Sequence, residues 1–250
     1  MTEITIVTGA SRGIGAATAR LLGAEKASVV VNYRAKKDEA GAVVRDIQAS
    51  GGEAFAVQGD VGNEDDVLRL FAETDRVFGS LTALVNNAGI TGGPRRRIDA
   101  MTCTGIMDVM RVNVAGPLLC AREAIKRMST RNGGKGGAIV NVSSLGALTG
   151  SPHAFIDYAA SKGALDTITV GLAAETAGSG IRVNGVRPGL IDTDIHDDAG
   201  IPDRIKRFGP TMPIGRAGAA AEVAEAIVWL LSDKASYVTG EFINVTGGAR

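Results

Sequence analysis

The sequence is short of aromatic residues, cysteine and net charge, and each shortage excludes a class of protein. Only 4% of the 250 residues are aromatic, and two cysteines are too few for a disulfide framework. Basic and acidic residues number 27 each, so the chain lacks the positive charge that binders of the phosphate backbone carry. No apolar run reaches the ~18 residues that cross a bilayer. We therefore expect neither a nucleic-acid partner nor a membrane partner.

Histidine is scarce as well. His153 and His196 do not lie at a metal-ligand spacing from Cys103 or Cys120, so no metal site is predicted. The chain starts with a strand-like segment, TEITIVTGA, without the pattern of a secretory leader. Two ordinary thiols are typical of a reducing compartment, and we expect a cytoplasmic protein.

Glycine, by contrast, is abundant: 34 residues is about twice the average share of ~7%. Apolar runs of strand length alternate with longer amphipathic stretches along the whole chain. The predicted strands are 4–9, 28–33, 53–60, 82–89, 137–144, 181–189 and 242–247, and the predicted helices are 13–24, 36–50, 64–79, 102–130, 157–178 and 219–232. This alternation predicts one α/β domain over residues 1–250, a doubly wound parallel sheet of about seven strands with helices on both faces.

One long segment, residues 189–218, fits neither periodicity. It follows a predicted strand end and contains several Asp and Pro residues. Structureless loops of this length are more often functional than idle, and open α/β sheets bind ligands beyond the carboxyl ends of their strands. We predict a substrate lid here; the alternative is a passive surface excursion.

A glycine-rich turn, TGASRGIG (8–15), joins the first predicted strand to the first helix. Glycines there let the backbone approach a pyrophosphate, while the helix N-terminus supplies N–H donors. Glycines also make ordinary turns, but the strand–turn–helix context favours dinucleotide binding. The predicted cofactor contacts in this turn are Gly9, Ser11, Arg12, Gly13, Ile14 and Gly15.

The end of the second strand indicates which dinucleotide is bound. NAD-binding proteins place a carboxylate there for the ribose hydroxyls, but this chain has Asn32, Tyr33 and Arg34, and its first carboxylate is Asp38. Arg34 and Arg12 suit the 2′-phosphate of NADP, because the guanidinium fork matches phosphate oxygens. We predict NADP over NAD; the alternative is that both arginines are solvated surface groups.

Tyr158 and Lys162 stand four residues apart in a predicted helix, so their side chains share one face. Reduction of a carbonyl by hydride needs a proton donor, and a nearby ammonium lowers the pKa of a phenol toward neutrality. Ser144, at the end of the preceding strand, would hydrogen-bond the substrate oxygen as it gains charge. We predict Tyr158 as the acid/base, with Lys162 also holding the nicotinamide ribose. The alternative is a surface Tyr–Lys pair.

With these motifs in this order, the whole chain resembles the short-chain dehydrogenase/reductase family, in its branch of about 250 residues with a single Rossmann domain. The resemblance rests on TGASRGIG (8–15), Asp60-Val61, NNAG (86–89), Asn113, Ser144, YAASK (158–162), Pro188-Gly189 and VTGG (245–248). It implies a fourth catalytic residue, Asn113, and a homotetramer. It also implies cofactor contacts at Asp60, Val61, Asn87, Ala88, Gly89, Tyr158, Lys162, Pro188, Gly189, Ile191 and Thr193.

The chain departs from the family pattern at two places. Fourteen positions separate Ser144 from Tyr158, one more than expected, which leaves Ser143 as an alternative to Ser144. The closing VTGG lacks the Asp that often precedes the glycines.

Together these features predict an oxidoreductase that passes hydride between NADP(H) and a small-molecule carbonyl or secondary alcohol. A 3-oxoacyl-carrier reductase is an alternative, and Arg95, Arg96 and Arg97 would supply the basic pocket mouth that an acidic carrier requires. The acidic lid residues fit a polar or sugar-like substrate better: Asp192, Asp194, Asp197 and Asp198. A dinucleotide sensor without activity is the remaining alternative.

Overall fold

A computed structural model describes residues 3–250, apart from the side chain of Asp198. Its centre is a seven-stranded, fully parallel sheet whose strands are β1 (Ile4–Val7), β2 (Ser28–Tyr33), β3 (Glu53–Gln58), β4 (Ala83–Asn86), β5 (Gly137–Val142), β6 (Ile181–Pro188) and β9 (Phe242–Val245). The strand order is β3-β2-β1-β4-β5-β6-β9. The order reverses between β1 and β4, the position at which doubly wound sheets open a crevice for ligands. The two-residue strands β7 (Ile191–Asp192) and β8 (Gly218–Ala219) pair apart from this sheet.

Helices cover both faces of the sheet, because alternate residues of each strand point to opposite sides. Val7 and Val31 pack in one apolar cluster, and their neighbours Ile6 and Val30 pack in the other. The long helices are α1 (Gly13–Ala24), α2 (Lys37–Ala49), α3 (Glu64–Val77), α4 (Cys103–Met110), α5 (Gly116–Met128), α7 (Ile156–Thr176) and α10 (Ala220–Leu231). Helices α1, α2 and α10 cover the first cluster, and α3, α5 and α7 cover the second.

The predicted Rossmann-like fold is confirmed, with every predicted strand and helix present. The predicted strands 53–60 and 82–89 run past the observed ends at Gln58 and Asn86, where the backbone leaves the sheet and turns along the cleft. The predicted helix 102–130 consists of α4 and α5 joined by a π-helical turn, Arg111–Ala115. Within residues 3–250, none of the helices combines the length and apolar character that a bilayer crossing requires.

The segment 189–218 has more regular structure than its sequence predicts. Besides β7 it contains the short helices α8 (Ile195–Asp198) and α9 (Arg204–Phe208), and a 3-10 turn, Gly209–Thr211. Another four-residue helix, α6 (Gly146–Thr149), follows β5. Helices this short carry almost no periodic signal, so pattern analysis does not detect them.

Candidate active site

A cleft of about 1040 Å³ runs along the carboxyl ends of the strands. It is lined by the glycine turn after β1, the ends of β2, β4 and β5, the first turns of α7, and the segment 189–218. Nineteen of the 22 predicted site residues line it; Gly15, Tyr33 and Asn113 do not.

At the N-terminus of α1, the backbone of the glycine turn lies close to the backbone that follows β4. Gly9 has φ +62°, and a Cβ there would lie 2.9 Å from Cα of Ala88. Gly13, the first residue of α1, has φ +57° and faces the Thr193 side chain, so glycine suits both positions. The first N–H groups of α1 have no intrahelical acceptor, and the turn before them lines the cleft. The turn and these N–H groups form a cradle that fits a pyrophosphate.

Thr8 and Asn87 hold the glycine turn in place. The Thr8 hydroxyl accepts the backbone N–H groups of Asn87 and Ala88, each at 3.0 Å. The Asn87 amide donates to the carbonyls of Thr8 (2.9 Å) and Gly9 (3.1 Å). The Asn87 side chain therefore supports the glycine turn. Thr8 was not singled out from the sequence, although it stands first in TGASRGIG.

Gly15 also shapes the cradle without lining the cleft. A Cβ at this position would lie 2.5 Å from Nδ2 of Asn87 and 2.6 Å from the Gly9 carbonyl oxygen. The third glycine therefore serves the close packing of α1 against the turn.

The three residues predicted at the end of β2 have different surroundings. Asn32 is buried, accepts the Gly9 N–H at 3.3 Å and donates to the Gly59 carbonyl at 3.1 Å. Tyr33 shares the strand face of Val31 and packs in the apolar core, 6% exposed and away from the cleft. Arg34, past the strand end, is exposed and lines the cleft.

Asp60 and Val61 line the cleft beyond β3. The Asp60 carboxylate accepts the Arg111 guanidinium at 3.0 Å and the Gly62 N–H at 2.9 Å. An acidic side chain held in this way is rigid, which suits a directional contact with a base or a sugar.

On the opposite wall, Tyr158 and Lys162 face the cleft from α7, one helical turn apart. The Lys162 ammonium donates to the Val142 carbonyl at 2.7 Å and lies 5.6 Å from the centre of the Tyr158 ring. The two serines after β5 differ in their partners. The Ser143 hydroxyl donates to the Lys162 carbonyl at 3.3 Å, whereas the Ser144 hydroxyl interacts with the Tyr158 phenol.

Burial has the largest effect on the pKa values of Tyr158 and Lys162. It raises the pKa of Tyr158, and this outweighs the lowering effects of the Ser144 hydroxyl and the Arg204 charge. Burial also lowers the pKa of Lys162 to about 8, against a smaller opposing effect of Asp166. The net shift at Tyr158 is thus opposite to the lowering that the Tyr–Lys spacing predicted, because desolvation of the phenolate exceeds the stabilisation from nearby charges.

Asn113 lies in the π-helical turn and is fully buried. Its amide accepts the Ile90 N–H at 2.9 Å and donates to the Ile90 carbonyl (2.9 Å) and to Ser161 (3.0 Å). Ser161 in turn donates to the Tyr158 carbonyl at 2.7 Å. One side chain therefore links the chain after β4 to the backbone of α7, and it does so from a π-helical turn, a feature that is frequent at functional sites.

The end of β6 and the segment 189–218 form another wall of the cleft. Pro188, Gly189, Ile191 and Thr193 line it, as does Arg204 of α9. The Arg204 guanidinium lies 5.9 Å from the centre of the Phe155 ring. Neither Phe155 nor Arg204 was singled out from the sequence, and no motif could have identified them.

The three consecutive arginines do not form one basic patch. Arg96 forms a buried ion pair with Asp157, and Arg97 pairs with Asp99 at the surface. Arg95 alone lines the cleft, and its guanidinium donates to the His153 carbonyl at 3.1 Å.

Residues 9–250 match the protein family described as enoyl-(acyl carrier protein) reductase. The chain is 52% identical over 245 residues to an uncharacterized oxidoreductase, YgfF, of Escherichia coli, covering 98% of this chain and 99% of that protein. It is 39% identical over 249 residues to the 3-oxoacyl-[acyl-carrier-protein] reductase FabG of Staphylococcus aureus, covering 99% and 98% of the two chains.

Among solved structures, a short-chain dehydrogenase from Burkholderia cenocepacia in complex with NADP superposes with a TM-score of 0.89. That protein is 34% identical, with 98% of this chain and 97% of the other covered. The likeness thus extends over the fold and nearly the full sequence, and the chain is an oxidoreductase that belongs to the short-chain dehydrogenase/reductase family.

Proposed function

We propose that this protein catalyses NADP(H)-dependent reduction of a small-molecule carbonyl, or oxidation of the matching alcohol. The observation that carries the proposal is the wall of the cleft on which Ser144, Tyr158 and Lys162 converge. A non-catalytic sensor would have no need of a buried phenol, a hydroxyl in contact with it and a buried ammonium one helical turn away.

The residues present fit a nicotinamide dinucleotide along the length of the cleft. The cradle of Gly9, Gly13 and Ile14 would hold the pyrophosphate, and Asp60 and Val61 would contact the adenine end. Arg34 would bind the 2′-phosphate of NADP, and the neighbouring Asn32 and Tyr33 place no carboxylate there that would repel it. The relative from B. cenocepacia binds NADP, which supports the same choice here.

The bound cofactor would supply a hydride to the carbonyl carbon. Tyr158 then donates its phenolic proton to the carbonyl oxygen, and the phenolate recovers a proton from solvent. Ser144 donates a hydrogen bond to that oxygen as it gains charge. Lys162, held by the Val142 carbonyl, keeps a positive charge beside the phenol and stabilises the phenolate once the proton has left. Asn113 is a positioning residue, since it bonds to Ile90 and Ser161.

A second candidate is the reduction of 3-oxoacyl thioesters on an acyl carrier, which the similarity to the S. aureus reductase favours. The basic mouth that an acidic carrier would use is smaller than the run of three arginines suggested. Arg96 forms an ion pair with Asp157, and of the three arginines Arg95 lines the cleft.

The substrate lid at 189–218 and the homotetramer are also proposals. The lid is supported by the lining positions of Ile191, Thr193 and Arg204. Assembly is supported by large apolar side chains exposed on α4, α5 and α7, namely Met107, Leu118 and Val170. Light scattering that gives a stable monomer at micromolar concentration would remove the tetramer.

The test is consumption of NADPH, with NADH in parallel, across sugars, α-diketones, 3-oxoacyl thioesters, cyclic ketones and oxo acids. We expect turnover that prefers NADPH. Turnover of acetoacetyl thioesters above all other carbonyls would favour the second candidate. Tight NADPH binding without turnover of any carbonyl would favour a dinucleotide sensor.

A further inference from the structure

The substrate end of the cleft carries positive charge. It is lined by Arg204 and Arg207 of α9 and by Arg95 of the loop after β4. Arg204 is partly buried, and its guanidinium lies over Phe155, three residues before Tyr158. The lid was expected to present acidic groups, yet Asp192 and Asp197 do not line this cleft. Asp194 does, with an exposed side chain.

Among residues whose side chains are described, no carboxylate forms an ion pair with Arg204 or Arg95. The two guanidiniums are close enough that the charge of Arg95 helps to lower the pKa of Arg204, after the larger effect of burial. Two like charges at a partly desolvated site are unfavourable until an anion joins them.

Arg204 lies near the groups that we propose to react with the substrate. Its charge acts on the Tyr158 phenol, and the effect is mutual. Phe155 provides a buried apolar floor beside it. A substrate whose carbonyl oxygen meets Tyr158 would therefore bring its neighbouring atoms to the Arg204 guanidinium.

Resting on the function proposed above, we propose that Arg204 binds an anionic group of the substrate. The substrate class is then a carbonyl compound with a carboxylate or phosphate a few atoms from the carbonyl carbon. The planar guanidinium provides parallel N–H donors that match either oxyanion. Arg95 adds to the field at the entrance. A neutral ketone would leave both guanidiniums without a counter-charge.

The first test compares anionic carbonyls with neutral partners of the same skeleton: acetoacetate with methyl acetoacetate, and dihydroxyacetone phosphate with dihydroxyacetone. For wild type, kcat/KM should be at least about 10-fold higher for one anionic member than for its neutral partner. The reason is that a hydrogen bond to a charged group strengthens binding about 10- to 100-fold. The preferred pair identifies carboxylate or phosphate. Equal or better turnover of both neutral members would overturn the proposal.

Three variants separate anion binding from a mere contact between lid and Phe155. Arg204→Gln should raise KM for the anionic substrate about 10- to 100-fold and leave the neutral partner nearly unchanged, and Arg204→Lys should restore part of the loss. Lys206→Gln removes the same charge from the exposed side of α9, outside the cleft, and should match wild type. An equal loss for both members of a pair in Arg204→Gln would mean that Arg204 only holds the lid.

A binding measurement makes the result independent of turnover. Calorimetry with malonate and with inorganic phosphate, on protein saturated with NADPH, should detect binding of at least one anion in wild type and Lys206→Gln. The affinity for that anion should be at least about 10-fold lower in Arg204→Gln. Such binding without carbonyl reduction would keep the anion site and reject the proposed function. Reduction of neutral ketones alone, without anion binding, would keep the function and reject the site.

Discussion

The Arg96 guanidinium pairs with the carboxylate of Asp157, the residue immediately before Tyr158. Their side chains are 15% and 2% exposed, and the same carboxylate accepts the backbone N–H of Tyr158 at 2.9 Å. Arg96 also donates to the carbonyls of Thr91 and Pro94. The pair therefore ties the loop after β4 to the first turn of α7, where Tyr158, the proposed acid/base, stands.

Breaking this pair should destabilise the fold. Arg96→Gln leaves a buried carboxylate without its cation, and we expect a loss of about 3 kcal/mol in the free energy of unfolding. Chemical denaturation measures it. The double variant Arg96→Gln/Asp157→Asn should lose less than the sum of the two single changes, because both charges are gone.

Arg97→Gln is the matched control for that experiment. Arg97 pairs with Asp99 at the surface, where both side chains are about two-thirds exposed. The free energy of unfolding should change by less than about 0.5 kcal/mol. A similar loss in Arg96→Gln and Arg97→Gln would contradict the special role of the buried pair.

Tyr158→Phe should lower kcat about 10²- to 10⁴-fold, because the phenol supplies the proton to the developing alkoxide. The aromatic ring remains, so affinity for NADPH should stay within about twofold. Steady-state kinetics and cofactor fluorescence measure the two effects separately. Unchanged turnover would show that another group carries the proton.

The lowered pKa of Lys162 makes stability depend on pH. The folded state holds this proton with a pKa of about 8, against 10.5 for the unperturbed side chain. Between these values the unfolded chain binds more protons, so stability rises as pH rises, and it is lowest below pH 8. Relative to Lys162→Met, wild type should gain about 2 kcal/mol in the free energy of unfolding from pH 7 to pH 9.5. Parallel pH profiles of the two proteins would refute the buried ammonium.

Arg34→Gln tests the choice between NADP and NAD. Loss of a guanidinium from the 2′-phosphate should raise KM for NADPH about 10- to 100-fold and leave KM for NADH almost unchanged. Arg45→Gln removes an exposed charge from α2, outside the cleft, and serves as the control. The assignment fails when both cofactors respond alike to Arg34→Gln.

Local signals determined much of the fold and of the cofactor half of the site. Apolar runs of strand length predicted all seven strands of the sheet, because buried parallel strands expose neither face to water. TGASRGIG and YAASK hold their residues within single turns, so their geometry follows from short-range spacing. Pattern analysis was also correct that residues 189–218 leave the regular alternation.

The tertiary structure decided which of these side chains reach the cleft. Tyr33 and Arg34 are adjacent in sequence, but strand alternation and the strand end place Tyr33 in the core and Arg34 at the cleft. Arg95, Arg96 and Arg97 look equivalent along the chain, yet one lines the cleft, one is buried in an ion pair and one lies at the surface. Arg204 comes near Phe155 and the Tyr158 phenol only because the segment 189–218 folds back toward the start of α7. Spacing determines local geometry, whereas burial, partners and pKa shifts depend on which distant segments pack together.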